Sequence, residues 1–70
     1  MAQIYHIELV DAHGTRVFRR TSVRSDSLGA VMERALRAFR RARATDPGRA
    51  AGVRIVDGAG YEVFSASEHD

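Results

Sequence analysis

The side chains able to do chemistry in this chain are His6, His13 and His69, the hydroxyls of Ser22, Ser25, Ser27, Ser65 and Ser67, and a large set of arginines; there is no cysteine. A zinc site needs converging imidazoles and thiolates, often two His at i, i+4 on one helix face. His6 falls in a strand-patterned segment, His13 in a turn and His69 in an acidic tail, so no metal site is expected. His6, opposite Arg20 in the anticipated pairing, reads as a surface residue. Ser22, Ser25 and Ser27 precede a helix, where capping is their ordinary use, and no Gly-x-Ser-x-Gly elbow is present. Gly58-Ala59-Gly60 is followed by a strand, whereas a phosphate loop opens a helix. These readings predict no catalytic residue, no metal and no cofactor, and a chain of 70 residues leaves little room for a small-molecule pocket.

The arginines carry more information. All eleven basic residues are Arg, set against nine acidic ones, and the net charge is +2. Residues 1–15 hold Glu8 and Asp11 and no Arg, residues 16–54 hold every Arg, and residues 55–70 hold Asp57, Glu62, Glu68 and Asp70. The basic character therefore belongs to the middle of the chain. Two sources compete for it: an interaction patch, or a genome that favours Arg and Ala, to which the absence of Lys points. Lack of cysteine removes disulfides and thiolate metal sites. No apolar run is long enough for a signal-peptide core or a membrane span, so a cytoplasmic protein is the default expectation.

Positioning these residues falls to three elements. In segment 26–44, steps of about 100° per residue place Leu28, Val31, Met32, Ala35, Leu36, Ala38, Phe39 and Ala42 on one arc, opposite Glu33, Arg34, Arg37, Arg40 and Arg41. Ser25, Asp26 and Ser27 offer capping oxygens and Asp46-Pro47-Gly48 stops the helix. The apolar stripe is expected to cover a sheet, and Arg34, Arg37, Arg40 and Arg41 form a candidate basic patch.

The flanking segments repeat each other. Residues 7–18 align with residues 53–64 at an offset of 46, with the Val-Asp pair, a Gly three positions on and the Val-Phe pair identical. Each copy reads as a hairpin with Asp accepting turn N–H groups and Gly at the left-handed position, a type I turn with a glycine bulge. With Asp11 opposite Thr15, Leu9 faces Val17, Glu8 faces Phe18 and His6 faces Arg20; the second copy pairs Ile55 with Val63 and Arg54 with Phe64. One sheet face then carries Ile7, Leu9, Val17, Val23, Val53, Ile55 and Val63 under the helix, with Tyr5 and Tyr61 at its margin.

The opposite face is expected to display Ile4, Val10, Phe18, Val56 and Phe64 among His6, Glu8, Arg16, Arg20, Arg54 and Glu62. One helix cannot cover both faces, and a domain this small buries only about 60% of its unfolded surface. A homodimer using that face is the favoured expectation, with the five apolar residues as its interface. Nucleic-acid binding through Arg-rich surfaces is the alternative, since aromatics on an open sheet and clustered Arg are the means of stacking bases and holding phosphates. No membrane or small-molecule partner is expected.

The fold class that results is α+β, order ββαββ: two β-hairpins flank one helix packed on one face of a four-stranded sheet. The hairpins span 3–24 and 53–66, the helix 26–44, a mobile loop 45–52 and a frayed tail 67–70, all in one domain, with strand order open. Ile4-Tyr5-His6-Ile7 at the start, Ser25-Asp26-Ser27-Leu28 before an Ala-rich helix, and the Asp57-Gly58-Ala59-Gly60 hairpin resemble small uncharacterised bacterial ββαββ proteins of unknown function. The resemblance implies this fold and carries no activity.

Overall fold

The computed structural model of the chain describes residues 1–11 and 16–67. Its elements run β1 (Gln3–Val10), β2 (Val17–Ser25), α1 (Leu28–Thr45), β3 (Gly52–Asp57) and β4 (Glu62–Ser67). They form one four-stranded sheet in the order β2-β1-β3-β4, with every neighbouring pair antiparallel. This is the expected α+β arrangement, and it closes the question of strand order. Because β2 and β3 both run against β1, they are parallel to each other, and α1 carries the chain across β1 between them.

The helix starts at Leu28, two residues later than the periodicity alone suggests, because Ser27 is the residue that caps it. Its backbone is extended and its hydroxyl accepts the Ala30 N–H at 3.2 Å, satisfying one of the first-turn donors. The Ser25 hydroxyl accepts the Ser27 N–H at 3.1 Å and fixes the approach to the cap. From there Val31, Ala35 and Phe39 are buried, with Leu28, Met32 and Ala42 packed around them, the spacing of a core-facing stripe.

Under the stripe lie Ile7 and Leu9 of β1 and Val53 and Ile55 of β3, all nearly inaccessible. The centre of the core is therefore the two inner strands. Tyr5, expected at the margin, is also buried, since it faces Val23 across the first hairpin. Tyr61 is exposed.

The second turn has the anticipated chemistry. The Asp57 carboxylate accepts the N–H groups of Ala59 and Tyr61, both at 2.9 Å, and the Asp57 carbonyl accepts the Gly60 N–H at 3.0 Å. Gly60 has φ +93°, the left-handed region in which a Cβ is strained. The corresponding turn of the first hairpin lies outside the described residues. There the Asp11 N–H donates to the Arg16 carbonyl, one residue beyond the expected partner Thr15.

Both hairpins then gain one more residue at a bulge. In the first, Val10 faces Val17 but Leu9 faces Arg19, leaving Phe18 as the extra residue. In the second, Val56 faces Glu62 but Ile55 faces Phe64, leaving Val63 extra. A slip of one residue moves side chains to the other face of a strand, and a slip of two restores them. The first hairpin has slipped by two, so Val23 keeps its place under the helix. The second has slipped by one, so Phe64 replaces Val63 on the covered face, and Val63 is exposed.

Residues 46–51 connect α1 to β3, a shorter stretch than the loop expected over 45–52. Far from hanging free, this stretch is tied at its end: Ala50 is buried, its carbonyl accepts a bond from Arg43 Nη1 at 3.0 Å, and the Ala51 N–H donates to the Val10 carbonyl. Gly52 follows against β1 and β4, where a Cβ would stand 3.0 Å from Val10 Cγ2 and 3.1 Å from the Ala66 carbonyl oxygen. At the other end β4 continues through Ser67, one residue into the expected tail.

Candidate binding surfaces

The helix-free face of the sheet is built from cross-strand rows. One row runs Arg20, Glu8, Arg54, Ser65 across all four strands, and the next runs Ser22, His6, Val56, Glu62. Glu8 sits at the centre of the first row on β1. Arg54 Nε donates to its Oε1 at 2.5 Å, and Arg20 Nε lies 3.4 Å from its Oε2. The Glu8 side chain is only 10% exposed, against 56% for Arg20 and 40% for Arg54, so the two arginines cover the carboxylate while staying substantially exposed themselves. In the next row His6 Nδ1 and the Ser22 hydroxyl are hydrogen-bonded at 2.9 Å.

This geometry corrects the composition expected for that face. Phe18 and Phe64 do not stand on it: both are partly buried and pack against the core on the helix side. Phe64 is turned inward by the bulge that sets it opposite Ile55, and Phe18 is the bulge residue of β2. Of the five expected interface residues, Ile4, Val10 and Val56 keep their place on the open face. Ile4 is half exposed and Val10 and Val56 are partly covered. The Arg20-Glu8-Arg54 row stands between Val10 and the other two, and Val10 has Val17, expected beneath the helix, as its cross-strand partner.

Sequence reasoning missed the Glu8 cluster because it set Glu8 against Phe18. The signal was present as one acidic residue at the middle of β1 and Arg residues on both neighbouring strands, but recognising it requires knowing that β3 lies beside β1. Similarly, His6 was set against Arg20 and is found against Ser22.

Arginines on the outer surface of α1 are placed as expected. Arg34, Arg37, Arg40 and Arg41 are all exposed. Shallow depressions run along this surface, lined by Glu33, Leu36, Arg37, Arg40 and Arg41 and, further round, by Ala30, Arg34 and Ala38. Glu33 is the one acidic residue among these lining groups, and it makes no ion pair with the four arginines among the described residues.

A second arginine cluster joins three elements that sequence reasoning kept apart. A cleft of about 420 Å³ lies between the start of β2 and the C-terminal end of α1, lined by Phe18, Arg19, Arg41, Ala42, Thr45, Asp46 and Arg49. The Arg49 guanidinium carbon stands 4.5 Å from the centroid of the Phe18 ring, a cation–π stack. Its backbone is held by an N–H bond to the Asp46 carbonyl at 3.1 Å.

Among the described residues there is no group of three or more His, Asp or Glu side chains that could hold a metal ion. No described helix is long and apolar enough to cross a membrane. No protein-family model, curated protein or solved structure matches the chain.

Proposed function

We propose that this protein is a non-catalytic binding module whose ligand is nucleic acid, held by the arginines of α1 and the adjoining end of β2. The observation that carries this reading is a contrast between two sets of arginines. Arg20 and Arg54 on the open sheet face share one buried carboxylate, whereas Arg34, Arg37, Arg40 and Arg41 on α1 stand exposed without a carboxylate partner among the described residues. Four guanidinium groups along two helical turns, with Glu33 the one carboxylate beside them, form a strip of net positive potential suited to a phosphate backbone. The helix contributes no aromatic side chain to that strip, so its contribution to binding is independent of sequence.

The test is the salt dependence of binding to a labelled single-stranded oligonucleotide, followed by fluorescence anisotropy. A protein that neutralises Z phosphates on a single strand loses affinity with a log–log slope of about −0.7Z. Replacing all four helix arginines by Gln is expected to reduce the magnitude of that slope by about 3. Absence of binding at low salt, or a slope unchanged by the four substitutions, removes this reading.

Self-association is a second reading, favoured by a difference between the two edge strands. Arg19, Arg20 and Arg24 decorate β2, the kind of charged edge that opposes strand pairing, whereas β4 carries Glu62 as its single charge. With the two Phe turned inward, the homodimer contact moves from the open face to this edge, β4 pairing antiparallel with β4 of a second copy.

A further inference from the structure

The cleft beside Phe18 goes one step further than a strip of positive charge. We infer that it accommodates one unstacked nucleotide of a single strand, its base lying on the Arg49 guanidinium and its phosphate held by Arg19 and Arg41; this rests on the nucleic-acid reading above and specifies its ligand.

The stack of Arg49 on Phe18 is the central observation. The ring is half-buried against the core, and the Arg49 guanidinium carbon stands over it, 4.5 Å from its centroid. Arg49 is itself exposed. A guanidinium plane is a stacking platform for a nucleobase, and a ring beneath it holds the platform flat and lowers the conformational entropy lost on binding. The bases of a duplex are stacked on one another and cannot reach such a platform, which makes the ligand a single strand.

Size and charge agree with this ligand. A cleft of about 420 Å³ lies within the range of sites that take small molecules. Three guanidinium groups meet one carboxylate there, Asp46, leaving a surplus of positive charge for a phosphate. Arg19 comes from β2 and Arg41 from α1, so the phosphate is approached from two walls. Asp46 adds an acceptor, which suits the exocyclic amino group of a base.

The experiment compares an intact labelled oligonucleotide of eight nucleotides with one of the same length in which every base is removed. The intact strand is expected to bind about tenfold more tightly, the yield of one stacked base. Arg49→Lys, which keeps the charge and loses the plane, should erase that advantage, bringing the affinities for the intact and abasic strands together. Arg41→Gln should weaken both strands alike. Circular dichroism melts of the two variants establish that they fold as the parent does. Equal affinity of the parent for intact and abasic strands overturns the stacking site while the strip of charge on α1 survives; failure to bind either strand overturns both.

Discussion

Phe64 stands directly opposite Ile55 across the second hairpin, and its neighbour Val63 is the bulge residue that puts it there. Ile55 is fully buried, Phe64 packs on the core beside it and Val63 is 39% exposed. A bulge adds one residue to one strand only, and here that residue decides which aromatic face of the hairpin belongs to the interior. Phe64→Ala is expected to cost about 1–3 kcal/mol of folding stability, and Val63→Ala within about 0.5 kcal/mol. Urea unfolding of the two variants side by side checks the register; the opposite ranking would restore the pairing of Ile55 with Val63.

Glu8 is the only buried charged side chain among the described residues. Removing its charge leaves two arginines that are themselves substantially exposed, so the penalty is that of lost charged hydrogen bonds and not of a stranded buried cation. Glu8→Gln should lower stability by about 1–2 kcal/mol. Arg54→Ala should cost more than Arg20→Ala, because Arg54 makes the closer contact and is the less exposed of the two. A double-mutant cycle between positions 8 and 54 measures the coupling, and a value near zero would show that the Glu8–Arg54 pair contributes nothing.

Gly58 and Gly60 share the second turn but differ in what a methyl group would meet. Gly60 has a left-handed φ, whereas Gly58 does not and has its nearest neighbour, the Ile4 carbonyl oxygen, at an ordinary 3.6 Å. Gly60→Ala is therefore expected to destabilise the protein by about 1–2 kcal/mol, and Gly58→Ala to be close to neutral. Thermal melts of the pair distinguish backbone conformation from crowding as the reason for glycine in this turn.

Strand pairing between copies predicts a specific dependence on β4. If the second copy adds at that edge, the parent sediments as a dimer at micromolar concentration. Introducing Val63→Arg together with Ser65→Arg, which gives β4 the charge that β2 already carries, should return it to a monomer with its melting temperature little changed. A monomeric parent across this range ends the self-association reading.

How much of this was legible in the sequence differs from element to element. Helix α1 was readable to within two residues at its start and one at its end, because its periodicity, its capping candidates Ser25, Asp26 and Ser27 and its Asp-Pro-Gly stop all point the same way. The turn at residues 57–60 was readable because Asp and Gly are tied to their positions by hydrogen bonding and φ. The faces of the outer strands were only partly readable. Bulges leave no signature in a Val-Phe pair: the same two residues, Val17-Phe18 and Val63-Phe64, place the extra residue at Phe18 in one copy and at Val63 in the other. The Glu8 cluster and the Phe18–Arg49 stack were hidden for a different reason, since each joins elements whose adjacency is a property of the assembled sheet and not of any local segment.

The bulges also constrain how this chain can change length. Each single-residue step in a hairpin exchanges the inner and outer faces of its edge strand, so an insertion or deletion of one residue between β1 and β2 would bring Arg20 and Arg24 beneath the helix and carry Val23 out to water. A change of two residues would leave every face as it is. Viable length variants of either hairpin are therefore expected to come in even steps, or to delete the bulge in the same event that alters the turn.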